Sequence, residues 1–495
     1  MKRIQHIILF AALSLCFTSC LEKYPKDSVL ESDTMQSLSD AEQILNGIYA
    51  TFKSSSLYTG DIVVAQDIQA DLVYAVDGFS NTYGDIWEWN IKSDNSTITG
   101  VYATLYNIIG KCNFFLEYAS QVEASIVKEE DFSTFDLYVG EVHFARAFAY
   151  SELARIFCEA YDESIADVEN SGMVLSTTYS VEAQPIRSTL RETYDLILAD
   201  LAIAEEQIGS DANNAIFFTE GTVEALYARV YLHMQNWSEA AEYATRVIER
   251  SSTYALAPST SYESTTGYSE LYYMWTYDSS YEIIWKVGLT INSLGGGIGQ
   301  VFLNYNYVTY LPDYVPAAWV LNSYSSGDGR YSAYFMTATT GYSHGLTWPL
   351  LSKYKGNETF LASNVLYVHM PKVFRLAEQY LIRAEAYAAM GNYSKASSDL
   401  TSITVARCGS GTVTVNADNW LSKISEERSK ELFMEGFRLS DLKRWGMGFE
   451  RKAQSNTVST SNTLKIEAGD YRFVWPIPNH EIEAPGSQIV QNSGY

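Results

Sequence analysis

A chain of 495 residues with 47% hydrophobic side chains and only 10 prolines is long enough to bury a large core and too apolar to be disordered or of low complexity. Its 34 basic against 59 acidic residues give a formal net charge of −25. That balance excludes the concentrated cationic surface that phosphate backbones require, so nucleic acid is not an expected partner and a neutral ligand is favoured over a polyanion.

In chain order, Lys2 and Arg3 precede an apolar run from Ile7 to Phe17, followed by Thr18, Ser19 and Cys20. The run is too short to span a bilayer, which takes about twenty apolar residues, and reads as a secretory signal over residues 1–19. Its end, "FTSC", resembles the lipobox of bacterial lipoproteins, which implies that Cys20 becomes the acylated first residue and tethers the mature chain to a membrane. The remaining cysteines, Cys112, Cys158 and Cys408, are odd in number and widely spaced, so they predict small buried apolar groups rather than a disulfide framework or a metal site.

Apolar residues recur at helical spacing over Ala41–Phe52, Val101–Ala119, Glu141–Phe157 and Thr189–Ile208. A loop-like zone, Asp77 to Gly100, interrupts them. "ARVYLHMQNWSEA" (Ala228 to Ala240) repeats as "AEAYAAMGNYSKA" (Ala384 to Ala396), and each copy predicts a helix, a tight turn and a second helix with small residues at the crossing. Such a pair resembles a tetratricopeptide unit, which cannot bury its apolar face alone and is expected to stack with others. Between Arg250 and Arg330 the composition changes: Lys286 is the sole basic residue, and thirteen of the 38 tyrosines lie between Tyr262 and Tyr334. That stretch predicts long loops and a few short strands, among them Tyr281–Val287. The expected fold is therefore mostly α, a tetratricopeptide-like helical-repeat scaffold carrying long irregular loops and a few short strands. Residues 20–250 form a first helical half, and 251–495 a second half with the loop-rich insert 251–330, packed as one globular unit.

"ERSKELFMEGFRLSDLKRWG", Glu427 to Gly446, holds four acidic and five basic residues. Placed on one helix, Glu427, Glu431, Glu435, Arg438 and Asp441 share a face, and their near balance predicts a structural ion-pair lattice rather than a catalytic centre. The pattern Glu427-Arg428, Glu431-Leu432, Glu435-Gly436, Arg438, Asp441-Leu442, Arg444-Trp445 resembles the C-terminal signature of the SusD/RagB family of outer-membrane nutrient-binding lipoproteins. "RLAEQYLIRAEAYAAMGNY", "WPIPNHEI" with the terminal "QNSGY", "LNSYSSGDGR" and "AEQILNGIYATF" agree with it in order along nearly the whole mature chain. "ELARIFCEAYDE" departs from it, since a Tyr-Gly-Asp-x-Pro-like turn is common there. The resemblance implies a helical fold with tetratricopeptide-like units, a lipid anchor in the outer membrane facing outward, and a SusC-like TonB-dependent transporter that the protein covers as a lid. It also implies that the charged motif is scaffold.

A pyranose is held by a flat aromatic face with polar groups at the rim, which Tyr and Trp flanked by Asn and Asp supply. "DIWEWN" has these parts, and its place ahead of the helix "VYATLYNIIGKCN" is similar to the glycan site of starch-binding members of the family, so Trp87, Trp89 and Asn90 are the first candidates. Asp71, Tyr74, Trp275, Asn304, Tyr305, Tyr307 and Tyr310 follow. The competing reading of each aromatic is a core plug. The six histidines are scattered without metal spacing, no GxSxG or GxxxxGKS/T motif occurs, and "GGGIG" lacks the setting of a dinucleotide fingerprint, so no enzyme, cofactor or metal is expected. Three alternatives stay open: a peptide ligand, a lid without affinity of its own, and a glycosidase, which needs only two suitably spaced carboxylates.

Overall fold

The computed structural model describes residues 34–179, 185–209, 214–262, 264–342, 345–452, 454–459 and 464–495. The signal segment 1–19 and the lipidation candidate Cys20 lie outside the described residues.

The scaffold helices are numbered α1 to α11 in chain order. The first is α1 (Leu38–Thr51), started by a reciprocal Ser37–Asp40 capping box and turning Ala41, Leu45 and Ile48 inward. A short helix, α2 (Asp61–Gln69), follows, buried along nearly all its length. The long antiparallel pair α3 (Ser96–Ser125) and α4 (Glu129–Phe157) comes next. Asn95 caps α3 by accepting from the Thr97 and Ile98 amides, and Glu129, Glu130 and Asp131 in the first turn of α4, with Arg155 in its last, complement the helix dipole. Helix α5 (Leu190–Gln207) begins with a second capping box, Thr189–Glu192, and packs along α4.

The two copies of the internal repeat fold as helix pairs: α6 (Glu220–His233) with α7 (Trp237–Glu249), and α8 (Leu376–Ala389) with α9 (Tyr393–Cys408). Both turns are made alike. Gln235 (φ +58°) and Gly391 (φ +78°) take the left-handed conformation, and the next residues, Asn236 and Asn392, cap the second helix. Ala240, Ala244, Ala384, Ala388 and Ala396 are fully buried where the helices cross, and α7 packs against α8, so the repeats stack as their small residues require. The helices and the short strand pairs give the tetratricopeptide-like, mostly helical fold expected from the sequence.

The tyrosine-rich insert is laid over this scaffold. It holds short helices and two strands, each paired antiparallel with a distant segment: Ile283–Lys286 with Lys372–Arg375, and Tyr314–Pro316 with Val73–Ala75. The first of these carries Trp285 into a nest of Phe52, Phe148, Phe218 and Phe374, with ring centroids 5.0–6.1 Å away. Aromatic contacts of this kind, three of them edge-on, join residues as far apart in sequence as Phe52 and Phe374 into one core.

The charged stretch does not form one helix. Helix α10 (Trp420–Glu431) ends, Met434 (φ +57°) and Gly436 (φ +85°) reverse the chain, and α11 (Arg438–Arg444) follows. A Cβ on Gly436 would lie 2.8 Å from the Ile62 carbonyl oxygen, so both its φ and its surroundings demand glycine. The lattice expected from the charge balance is present, but most of its partners are remote in sequence. The Glu431 carboxylate accepts from Arg407 (2.8 and 3.0 Å), Arg375 (2.9 Å) and Arg330 (3.0 Å). Glu435 accepts from Arg375 (2.8 and 2.9 Å) and Lys353 (2.6 Å), and Glu282 bridges Arg375 and Arg407. All these side chains are buried, and the surrounding guanidinium groups hold the Glu431 carboxyl well below its ordinary range against the desolvation that opposes ionisation. Cys112 and Cys158 are buried and Cys408 half-buried, all three as free thiols.

Candidate functional site

The first candidates from sequence are interior. Trp87 is 0% and Trp89 1% exposed. Trp89 donates its indole N–H to the Gln69 carbonyl (2.7 Å) and packs edge-on against Phe473, while the Arg451 guanidinium lies 4.6 Å above the Trp87 ring. Tyr74 is buried beside Trp87 because its strand, Val73–Ala75, is covered by Tyr314–Pro316. Asp71 is consumed by a bidentate pair with Arg438 (2.8 and 2.9 Å), and Trp275 lies under the ammonium groups of Lys353 (3.9 Å) and Lys372 (4.4 Å). These five are framework, not ligand platforms: all are buried, the polar groups of Trp89 and Asp71 are paired within the protein, and cations of the protein cover the ring faces of Trp87 and Trp275. Asn90 is exposed, but its amide donates to Asp85 Oδ1 (3.0 Å), and it takes no part in the cleft described next.

The other four candidates come together. The helical turn Gln300–Leu303 ends at Asn304 in the left-handed conformation (φ +40°), which sends the chain outward into a small hairpin. Tyr305 and Tyr310 face each other across its antiparallel bridge, with rings 4.8 Å apart and inclined 33°. Asn306 closes the turn by accepting from the Val308 and Thr309 amides (3.1 and 2.9 Å), and Tyr307 at the tip (φ +69°) is 72% exposed with its ring 6.0 Å from that of Tyr305. The hairpin is fixed at both ends. The Tyr367 hydroxyl accepts from the Tyr305 amide, and the Tyr310 carbonyl accepts from Gly341 N (2.9 Å). Three tyrosine rings thus stand on an ordered, solvent-facing shelf.

Asn304 also belongs to a cleft of about 330 Å³ that adjoins the shelf. Its far wall is Tyr83, held by donation of its hydroxyl to Asp61 (2.6 Å), a carboxyl that burial raises above its ordinary value. Asp313 closes one side by accepting from the Ser80 amide and hydroxyl (2.8 and 2.7 Å). The side-chain amides of Gln300 and Asn304 open into the cleft and have no partner among the described residues, so each offers a donor and an acceptor to a ligand. The glycine run explains the floor: a Cβ on Gly296 would sit 2.6 Å from the Thr59 carbonyl oxygen, so this strap can approach the Ser55–Gly60 turn only without side chains. Sequence reasoning missed Asp61, Tyr83, Gln300 and Asp313. The available signals were only coarse: Tyr83 falls in the loop zone Asp77–Gly100, and Gln300 and Asp313 fall in the loop-rich insert 251–330. Among the described residues no cluster of three or more His, Cys, Asp or Glu is arranged to hold a metal ion.

Residues 226–495 match the SusD family, and residues 21–232 match a family described as starch-binding associating with outer membrane. The chain belongs to the SusD family. SusD-like protein P2 of Formosa agariphila is 23% identical to it along the full length of both chains. A SusD superfamily protein from Bacteroides thetaiotaomicron superposes with a TM-score of 0.78 at 25% identity, covering 92% of this chain and 99% of its own. A laminarin-binding SusD-like protein superposes at 0.69 with 22% identity, covering 93% of this chain and all of its own. In this SusD-family chain no described helix is long and apolar enough to cross a membrane.

Proposed function

We propose that this protein is a cell-surface lipoprotein that captures a neutral oligo- or polysaccharide on the Tyr305–Tyr310 shelf and its adjoining cleft, without hydrolysing it. It then delivers the glycan to a SusC-like TonB-dependent outer-membrane transporter, over which it sits as a lid. One observation carries the binding half of this reading: three tyrosine rings on a hairpin fixed at both ends, beside two unpaired side-chain amides, offer the apolar faces and the polar rim that a pyranose needs. The laminarin-binding relative supports a carbohydrate as the ligand class. The lid and the lipid anchor rest on family membership and on the lipobox-like end of the signal segment at Cys20.

The test is retention on affinity gels cast with laminarin, amylopectin or galactomannan, comparing the native protein with the Tyr305→Ala, Tyr307→Ala double variant. Retention by at least one polymer that the double variant loses is the expected result. Binding of peptides with no retention on any polysaccharide would overturn it in favour of peptide capture, and release of reducing sugar from the retained polymer would point to a hydrolase. Co-purification with the transporter tests the lid separately.

A further inference from the structure

A second recess, about 600 Å³, is larger than the cleft and lies elsewhere in the tyrosine-rich insert. Helix Glu270–Tyr277 starts at Ser269, whose hydroxyl accepts from the Tyr272 amide, and presents Glu270 and Tyr273 one turn apart to the recess. Tyr281 approaches from the residue pair just before the Ile283–Lys286 strand, its carbonyl accepting from the Ala255 amide (3.1 Å), and Tyr262 also lines the recess. Tyr262 and Tyr281 are 68% and 70% exposed, while Tyr273 is half-buried and stacks on Tyr277 at 4.7 Å.

Three features of this recess go together. The hydroxyls of Tyr262, Tyr273 and Tyr281 and the carboxylate of Glu270 have no partner among the described residues, whereas another half-buried acid of this chain, Glu205, is paired with Arg246 (3.0 Å). Among the described residues no Lys or Arg lines it, so its lining favours a neutral ligand over an anionic one. It is also elongated: a neighbouring recess of about 440 Å³ shares Asn214, Ala215, Ser279, Ser280 and Ile283 with it and runs on to Lys53, two residues before Ser55 at the edge of the cleft.

We propose that this recess is a second glycan subsite, in which Tyr273 and Tyr281 stack on sugar rings and the Glu270 carboxylate accepts from their hydroxyls. It takes a further stretch of the same neutral polymer whose other part lies on the Tyr305–Tyr310 shelf. The inference rests on the glycan reading of the shelf. Two weak contacts on one polymer chain act at high effective concentration, which raises retention of long chains by about ten-fold or more without strengthening the binding of short ones.

The experiment uses the polymer that retards the native protein among laminarin, amylopectin and galactomannan, together with its short oligosaccharides, in affinity gels and titration calorimetry. The Tyr273→Ala, Tyr281→Ala variant is expected to lose about ten-fold in polymer retention while the affinity for a short oligosaccharide changes less than two-fold. Glu270→Gln is expected to move the same way to a lesser degree, and Tyr281→Phe, which keeps the ring, to retain binding. The Tyr305→Ala, Tyr307→Ala variant is expected to lose both readouts. Polymer retention at the native level in all the second-site variants would overturn the second subsite and leave the shelf standing. Absence of retention of the native protein on every polymer would bring down the shelf reading and the second subsite with it. Should the double variant fail to fold by circular dichroism, Tyr281→Ala and Glu270→Gln alone decide between these outcomes.

Discussion

Two aromatic loops of this protein look alike on paper and end in opposite places. In "DIWEWN" two rings flank a single polar residue, and "NYNYVTY" contains the same spacing in Tyr305-Asn306-Tyr307. Trp87 and Trp89 are nonetheless sealed beneath Arg451, Arg472 and Phe473, while Tyr305, Tyr307 and Tyr310 stand on a hairpin that faces solvent. The difference lies in what reaches each segment from far along the chain. Arg451 donates to the Trp87, Ala70, Ile68 and Gln69 carbonyls and so fastens the C-terminal region over the first loop. Among the described residues the second loop is fastened at its roots, by Tyr367 and Gly341. Alternation makes an aromatic available to either face, and long-range hydrogen bonds choose the face.

Substitutions can break this contrast. The largest effects belong to the buried side. Trp89→Ala removes a filled core volume together with the hydrogen bond to Gln69 and is expected to destabilise the fold by about 3–5 kcal/mol, read from denaturant unfolding. Glu431→Ala leaves Arg330, Arg375 and Arg407 without their shared acceptor in a dry interior, with an expected cost of about 3–5 kcal/mol by the same measurement. If either variant lost glycan retention while keeping native stability, the assignment of these residues to framework would fail.

A pH effect of intermediate size comes from the interface of α1 and α4. Burial raises the Glu141 carboxyl to about 7, and its one polar partner among the described residues is the Tyr49 hydroxyl at 3.1 Å. The folded state therefore keeps a proton that the unfolded chain releases near 4.5. The associated stability is complete below pH 4.5 and is lost as pH rises through 7. Glu141→Gln is expected to flatten that decline, gaining up to about 3 kcal/mol relative to the native protein at pH 8 and little at pH 4, in urea titrations at both values. The carboxyls of Glu431, Glu435 and Asp441 have the opposite sign: neighbouring cations hold them low, so their contribution disappears as pH falls below the ordinary carboxylate range.

The smallest effect on the fold belongs to the shelf. Tyr307→Ala is expected to change stability by less than about 0.5 kcal/mol, since the ring makes few contacts with the protein, and to weaken glycan binding by about ten-fold, roughly 1.4 kcal/mol. A large loss of stability would mean that the hairpin is framework too, and the contrast with Trp87 and Trp89 would vanish.

The helical periods, the internal repeat and the charge balance of Glu427–Gly446 were legible in the sequence because each depends on neighbours a few residues apart. The break at Met434–Gly436 was not, although Gly436 stood in the motif: the turn is stabilised from outside, by Asp67 accepting from the Gly436 and Arg438 amides at 2.9 and 2.8 Å. Of the site, Asn304, Tyr305, Tyr307 and Tyr310 were legible as an aromatic and amide cluster in a loop. Asp61, Tyr83, Gln300 and Asp313 were not, because segments some 230 residues apart in sequence form the cleft.

By itself, the amino-acid sequence determined the helical-repeat scaffold, the family pattern and the absence of any catalytic signature, since local periodicity, turn chemistry and motif order carry that information. The tertiary structure alone decided which aromatics meet solvent and which acids are neutralised. An aromatic ring can lay its apolar face against a core or against a bound sugar, and only the groups packed around it settle which of the two it can touch.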